Sequence, residues 1–183
     1  MAQTLEKVIY WFRQDLRLHD NPALTQAHAM SQTVLHVTHG LTDEETQWGF
    51  KRHSLNRQQF RRQGIDGLRQ ALQNHGQTLV VFETYSAITA TANTIADSTD
   101  TSNATSTIAS IIALAHQHNI KHIFCEALET PEEEQQVQSL LAAGLVVNRY
   151  IQSCLYEDNQ LPFSIEDTPD MFTAFRQAVE NSN

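Results

Sequence analysis

The apolar residues of this chain fall into five short runs, and the segments between them carry apolar positions at helical spacing. Residues 8–12 (V-I-Y-W-F), 33–38 (T-V-L-H-V-T), 78–83 (T-L-V-V-F-E), 121–125 (K-H-I-F-C) and 145–150 (L-V-V-N-R-Y) are rich in β-branched and aromatic side chains. The first run does not alternate apolar with polar positions, and the others do so poorly, which predicts strands covered on both faces. Phe60, Gly64, Leu68, Ala71 and Leu72 fit a helix that starts at Ser54 and ends at His75-Gly76. Ile108, Ile111, Ile112 and Ala115 recur at i, i+3, i+4 and i+7, the face of a helix packed on a sheet. Thr130-Pro131-Glu132-Glu133 has the form of a capping box: Thr130 accepts a main-chain N–H bond, Glu133 reaches back, and Pro131 takes the first helical position. Val137, Leu140 and Leu141 are the stripe this helix is expected to bury, and Gly144 supplies the turn that stops it.

Strands alternating with helices through short connections predict an α/β fold: a doubly wound, Rossmann-like, five-stranded parallel sheet with helices on both faces. It is expected to occupy residues 1–150. Residues 151–183 read as a connector ending in an amphipathic helix, with Phe172, Phe175 and Val179 at i, i+3 and i+7. Residues 86–106, almost wholly Ala, Thr, Ser, Asn, Asp and Ile, read as a surface insertion.

Composition narrows the function classes. Twelve Lys+Arg face 21 Asp+Glu, a formal net charge of −9, so the chain is expected to bind nucleic acid poorly by itself, since cationic side chains carry that affinity. Residues 51–62, with Lys51, Arg52, Arg57, Arg61 and Arg62, are the one local basic cluster and read as a solvated helix start. Cys125 and Cys154 have no metal-ligand spacing and read as buried free thiols of a reducing compartment. No secretory leader pattern and no apolar stretch of membrane-spanning length is visible, so the expectation is a cytoplasmic protein without membrane contact. His36 and His39 read as ordinary strand and loop histidines. No G-x-G-x-x-G follows the first run, which argues against dinucleotide binding.

The most informative stretch is residues 8–24. The first strand runs directly into Arg13, Asp15, Arg17 and Asp20, so charge collects at the carboxyl end of a buried strand, the edge where open α/β sheets hold ligands. Asn21 can cap the next helix, with Pro22 at its first position. Trp11, Phe12, Arg13, Asp15, Leu16, Arg17, Asp20 and Asn21 together resemble the N-terminal signature of the DNA photolyase/cryptochrome family, W-F-R-x-D-L-R-x-x-D-N. Taken singly, Arg13, Asp15 and Arg17 read equally as a structural, salt-bridged loop. At the other end, Leu155-Tyr156, Leu161-Pro162-Phe163, Pro169-Asp170, Phe172-Thr173, Phe175-Arg176 and Val179-Glu180 resemble the connector that follows the α/β domain in the cryptochrome DASH branch.

The resemblance implies a role in DNA repair, as a lyase acting on pyrimidine dimers, or in blue-light signalling. In that family FAD, the lesion pocket and a tryptophan relay belong to a helical domain beyond the α/β domain, so FAD is not expected on this chain and no catalytic residue is assigned to it. Its partner is then a flavin-binding helical domain, and the apolar face of the last helix also suits a homo-oligomer. What the α/β domain supplies in the family is a seat for a light-harvesting antenna chromophore, methenyltetrahydrofolate or a deazaflavin. Glu129 matches the family glutamate facing the pterin, whose aminopyrimidinone edge offers two N–H groups to a carboxylate; it reads equally as an acidic residue well placed before a helix N-terminus. Phe50 matches a stacking position and Arg52 one that meets an anionic glutamyl tail, although His53-Ser54 stands for the family's Thr-Gly and Arg61-Arg62 for apolar residues. The alternative is a stand-alone protein-interaction module on the same scaffold that binds no pigment.

Overall fold

Leu5–Phe12 forms the first strand, β1, and its last five residues are fully buried. Each such side chain contributes roughly 1.5–3 kcal/mol when removed from water, so this segment takes the centre of the sheet. The computed structural model describes residues 4–41, 48–51, 53–82, 107–128, 130–154, 156 and 160–182; the predicted insertion at 86–106 lies outside them. The other elements are α1 (Pro22–Met30), β2 (Ser31–His39), α2 (Leu55–Asn74), β3 (Leu79–Phe82), α3 (Thr107–Gln117), β4 (His122–Glu126), α4 (Pro131–Ala142), β5 (Val146–Tyr150) and α5 (Phe172–Ser182). Among the described residues there are five strands, all parallel, in the order β3-β2-β1-β4-β5. The α/β reading therefore holds.

Alternate residues of β1 face opposite layers. Val8, Tyr10 and Phe12 pack with Ala23, Leu24 and Ala27 of α1 and Ile65, Leu68 and Leu72 of α2. Ile9 and Trp11 pack on the other side with Ile108, Ile111 and Ala115 of α3 and Leu140 of α4. Because β2 and β4 flank β1 on opposite sides, the chain reverses its winding direction at β1. Crevices at such a reversal are the usual ligand seats of doubly wound folds.

Local signals act largely as the residue types dictate. Asn21 caps α1 by accepting from Leu24 N–H at 2.9 Å, with Pro22 opening the helix. Gly76 and Gly144 adopt φ of +69° and +81° just beyond α2 and α4, where a side chain would be strained. Four expectations need correction. The buried face of α2 is Arg61, Ile65, Leu68 and Leu72, and Phe60 is 77% exposed, because Arg61 rather than Phe60 turns toward the strand ends. Leu141 lies 44% exposed, since Val137 and Leu140 alone complete the buried face of α4. Thr130 makes no side-chain bond to the helix main chain; its hydroxyl donates instead to Glu133 Oε2 at 2.9 Å. Cys125 is buried as expected, but Cys154 is exposed.

The chain divides into two compact units, Met1–Tyr150 and Ile151–Asn183. Within the second, Ser164 caps a short 3₁₀ turn, Ile165–Asp167, and Phe175 of α5 meets Phe163 edge-on at 5.5 Å between centroids.

Candidate functional site

The carboxyl ends of β1, β2 and β4 converge on two guanidinium groups. Arg13 follows β1 and is 3% exposed. Its Nη1 donates to the carbonyl of Glu126 (3.3 Å), and its Nη2 to the carbonyl of Glu133 (3.1 Å) and to Oε1 of Gln136 (3.2 Å), so one side chain ties β1 to β4 and α4. The Arg13 guanidinium also lies 4.7 Å from the centroid of the Trp11 ring, a cation–π distance. Arg61, reaching in from α2, donates to the carbonyls of Arg13, Gln14 (3.3 Å) and His39 (3.4 Å) and to the Thr38 hydroxyl (3.2 Å). The Thr38 hydroxyl in turn donates to the Phe12 carbonyl at 3.0 Å. Two cations thus donate to main-chain carbonyls at or just beyond the ends of β1, β2 and β4 and in the first turn of α4, where buried acceptors need partners.

The acidic counterweight is Glu126, buried at the end of β4. Its Oε2 accepts from Asp15 N–H at 3.2 Å. Burial raises its pKa, while the Asp15 N–H and the Arg13 charge pull it down. At the end of β2, His39 Nδ1 accepts from Trp11 Nε1 at 3.4 Å. Burial first, then the charges of Arg61 and Arg13, lower the His39 pKa to about 4, so the ring is neutral at physiological pH.

The signature residues divide by role. Trp11 and Arg13 are buried in this cluster. Asp15 pairs with Arg17 at 3.0 Å and caps its N–H at 2.9 Å, and Arg17 also meets Asp20 at 3.7 Å. Asp20 takes φ of +48° in the turn before α1. Asn21 accepts from the Tyr10 hydroxyl at 2.9 Å and donates to the Arg17 carbonyl at 3.0 Å, locking the loop to β1 and α1 together. These side chains therefore build and brace the edge. Of the expected chromophore contacts, Phe50 is 59% exposed and stacks on Trp48, with rings 13° apart and centroids at 6.0 Å. Arg52 and Glu129 lie outside the described residues. The reading of Arg61 as part of a solvated helix start is overturned, because it is 9% exposed and its guanidinium is bound at the strand ends. Its spacing to Ile65, Leu68 and Leu72 (i+4, i+7, i+11) is the signal that marks it as inward-facing. Glu126 is visible only as the charge closing an otherwise apolar run. Among the described residues no three His, Cys, Asp or Glu side chains gather as a metal centre, and no helix is long and apolar enough to cross a membrane.

Comparison with known proteins agrees with this architecture. The family model described as DNA photolyase matches residues 8–183. A cryptochrome DASH of Synechocystis is 30% identical over 179 residues, covering 94% of this chain and 32% of that protein. The blue-light photoreceptor PHR2 of Arabidopsis thaliana is 28% identical over 182 residues, covering 94% of this chain and 35% of its own length. The crystal structure of a Synechocystis cryptochrome superposes with a TM-score of 0.73 at 28% identity, over 99% of this chain and 34% of that one. A class III photolyase from Agrobacterium tumefaciens shares the fold, with a TM-score of 0.64 at 20% identity. The chain thus spans about a third of the length of the curated relatives it matches. Sheet order, signature loop and matches across the described units lead to one conclusion: this chain belongs to the DNA photolyase/cryptochrome family, as its N-terminal α/β domain.

Proposed function

We propose that this chain is the light-harvesting chromophore unit of a photolyase or cryptochrome-like protein and that the flavin photochemistry belongs to a partner. The observation that carries the reading is the match along residues 8–183 to a family whose curated relatives are about three times as long. The matched region is the family's α/β domain, to which this reading assigns the antenna rather than the flavin. The task left to it is placement: an antenna dye must be held at fixed distance and orientation to the flavin, which takes binding groups and no proton transfer or nucleophile. Phe50 and Trp48 offer a stacked, solvent-facing aromatic wall just before α2. A pterin such as methenyltetrahydrofolate, or a deazaflavin, stacks on such a wall, with Arg52 meeting an anionic tail and Glu129 accepting N–H bonds from the ring edge. FAD and the carbon–carbon lyase reaction on DNA are assigned to a flavin-binding helical domain.

A second reading, a pigment-free protein-interaction module, is favoured by the exposure of Trp48 (71%), Leu55 (74%) and Phe60 (77%) near the same helix start. Titrating the purified chain with methenyltetrahydrofolate and, separately, a deazaflavin, followed by absorbance and fluorescence, distinguishes the two. The antenna reading expects saturable binding of one pigment that weakens in Phe50→Ala and Glu129→Gln. Pigment-free chain that self-associates on sedimentation supports the module, and FAD released from the purified chain overturns the division of roles.

A further inference from the structure

Exposed charge and exposed apolar side chains coincide in two segments of this chain, and the two segments carry opposite sign. Residues 48–65 contain Lys51, Arg52, Arg57, Arg61 and Arg62 and no acidic residue, in a chain of net charge −9. Arg61 turns inward, but Lys51, Arg57 and Arg62 are exposed, and Trp48, Phe50, Leu55 and Phe60 stand exposed in the same segment. The second unit has the other sign: residues 151–183 hold six acidic side chains against Arg176 alone. Its stretch 165–172, I-E-D-T-P-D-M-F, exposes Glu166, Asp167 and Asp170 together with Ile165, Met171 and Phe172. Among the described residues Arg57, Arg62, Glu166 and Asp170 form no ion pair.

We infer that residues 165–172 of one copy dock on the basic, aromatic start of α2 in a second copy. Such a contact rests on the reading of this chain as a pigment-free interaction module and gives that module its partner. The occupant of the α2 start has to be apolar and anionic at once, and residues 165–172 are both. The exposed aromatics Trp48, Phe50, Phe60 and Phe172 would each bury about 150–250 Å² if fully covered, and at their present exposure they offer on the order of 500 Å². A standard interface buries about 1,200–2,000 Å² in total, a little over half of it apolar, so a stable contact draws on both segments and on Leu55, Ile165 and Met171 as well. The exposed charges add orientation and choice of partner more than affinity. Because each chain carries both segments, reciprocal exchange between two copies satisfies all four and closes the assembly as a dimer. A docked copy covers Trp48 and Phe50, so it and a pigment exclude one another.

The test is sedimentation of the full 183-residue chain at several concentrations, in low and in high salt. Mass should rise with concentration toward a dimer and fall with added salt, which screens exposed charges. Two double variants reverse one side each: Arg57→Glu with Arg62→Glu, and Glu166→Lys with Asp170→Lys. All four side chains are exposed, so circular dichroism and melting should stay close to those of the parent chain. Each variant alone should dimerise at least about tenfold more weakly, because like charges then face each other. Mixing the two restores opposite signs at both contacts and should recover a dimer of unlike chains. Association that persists in both variants, with no gain on mixing, overturns this partner and leaves the module reading in place. A strictly monomeric chain also overturns it: if that monomer binds a pigment the module reading falls too, and if it binds a single-stranded oligonucleotide the α2 start has a different partner.

Discussion

Replacing Arg61 with leucine tests whether the convergent strand ends depend on that one guanidinium. In the folded chain Arg61 donates to the Arg13, Gln14 and His39 carbonyls and to the Thr38 hydroxyl. Hydrogen bonds from a charged donor contribute roughly 1.5–3 kcal/mol each, and buried acceptors left unpaired cost a similar amount. The bonds share one group and do not add, and buried leucine offsets part of the loss, so the expected destabilisation is ~2–4 kcal/mol. Against a total stability of about 5–15 kcal/mol for a domain this is a large fraction. Urea unfolding with Arg62→Leu as the control measures it. Arg62 is exposed and should cost less than about 0.5 kcal/mol. NMR titration of His39 supplies an independent reading: losing the Arg61 charge should raise its pKa from about 4, yet leave it below 6.5, because burial is the larger cause. Equal losses for Arg61→Leu and Arg62→Leu, with an unmoved His39, would refute the assignment.

Three further outcomes are expected. Asn21→Ala removes the α1 cap and the acceptor of the buried Tyr10 hydroxyl, and should cost roughly 2–4 kcal/mol in urea unfolding, where a loss below about 0.5 kcal/mol would contradict the described bonds. Stability should fall as pH drops from about 6.5 toward 4, because His36 and His39 bind protons in the unfolded chain before they do in the folded one, each adding a slope of up to ~1.4 kcal/mol per pH unit; Glu126, with its raised pKa, opposes with a single slope of the other sign. A urea midpoint that is flat over this window would speak against neutral buried histidines. Ellman's reagent should label one thiol, Cys154, in the native chain and both in urea, since Cys125 is buried and its pKa is pushed up to about 11; rapid native labelling of both would show the β4 face to be open.

The sheet was legible because each strand is a short apolar run, and such runs have one economical fate in a chain of this length. Its limits were less so: β1 begins at Leu5 and β2 at Ser31, where pairing extends the ladder through polar residues that no run marks. Asn21-Pro22 was readable because capping is local chemistry. Arg61 was not, because a cation reads as surface until the carbonyls that receive it are in place, and those lie at strand ends 22 and 48 residues away. Glu126 escaped for the same reason, since its carboxylate answers an N–H group 111 residues earlier in the chain. The aromatic pair Trp48 and Phe50 shows the converse, apolar side chains that stay exposed because none of the described elements of the first unit covers them.

The place of β1 between β2 and β4 also sets an order of assembly. Tyr10 can pair with His36 soon after both are made, but its other neighbour, Phe124, emerges only after another stretch of translation. At about 5–20 residues per second the nascent first strand keeps one side unpaired for on the order of ten seconds. During that interval V-I-Y-W-F is an open, sticky edge of the kind that recruits other chains. Yield of intact protein in cells should therefore respond to chaperone supply and translation speed more sharply than the stability of the finished fold suggests.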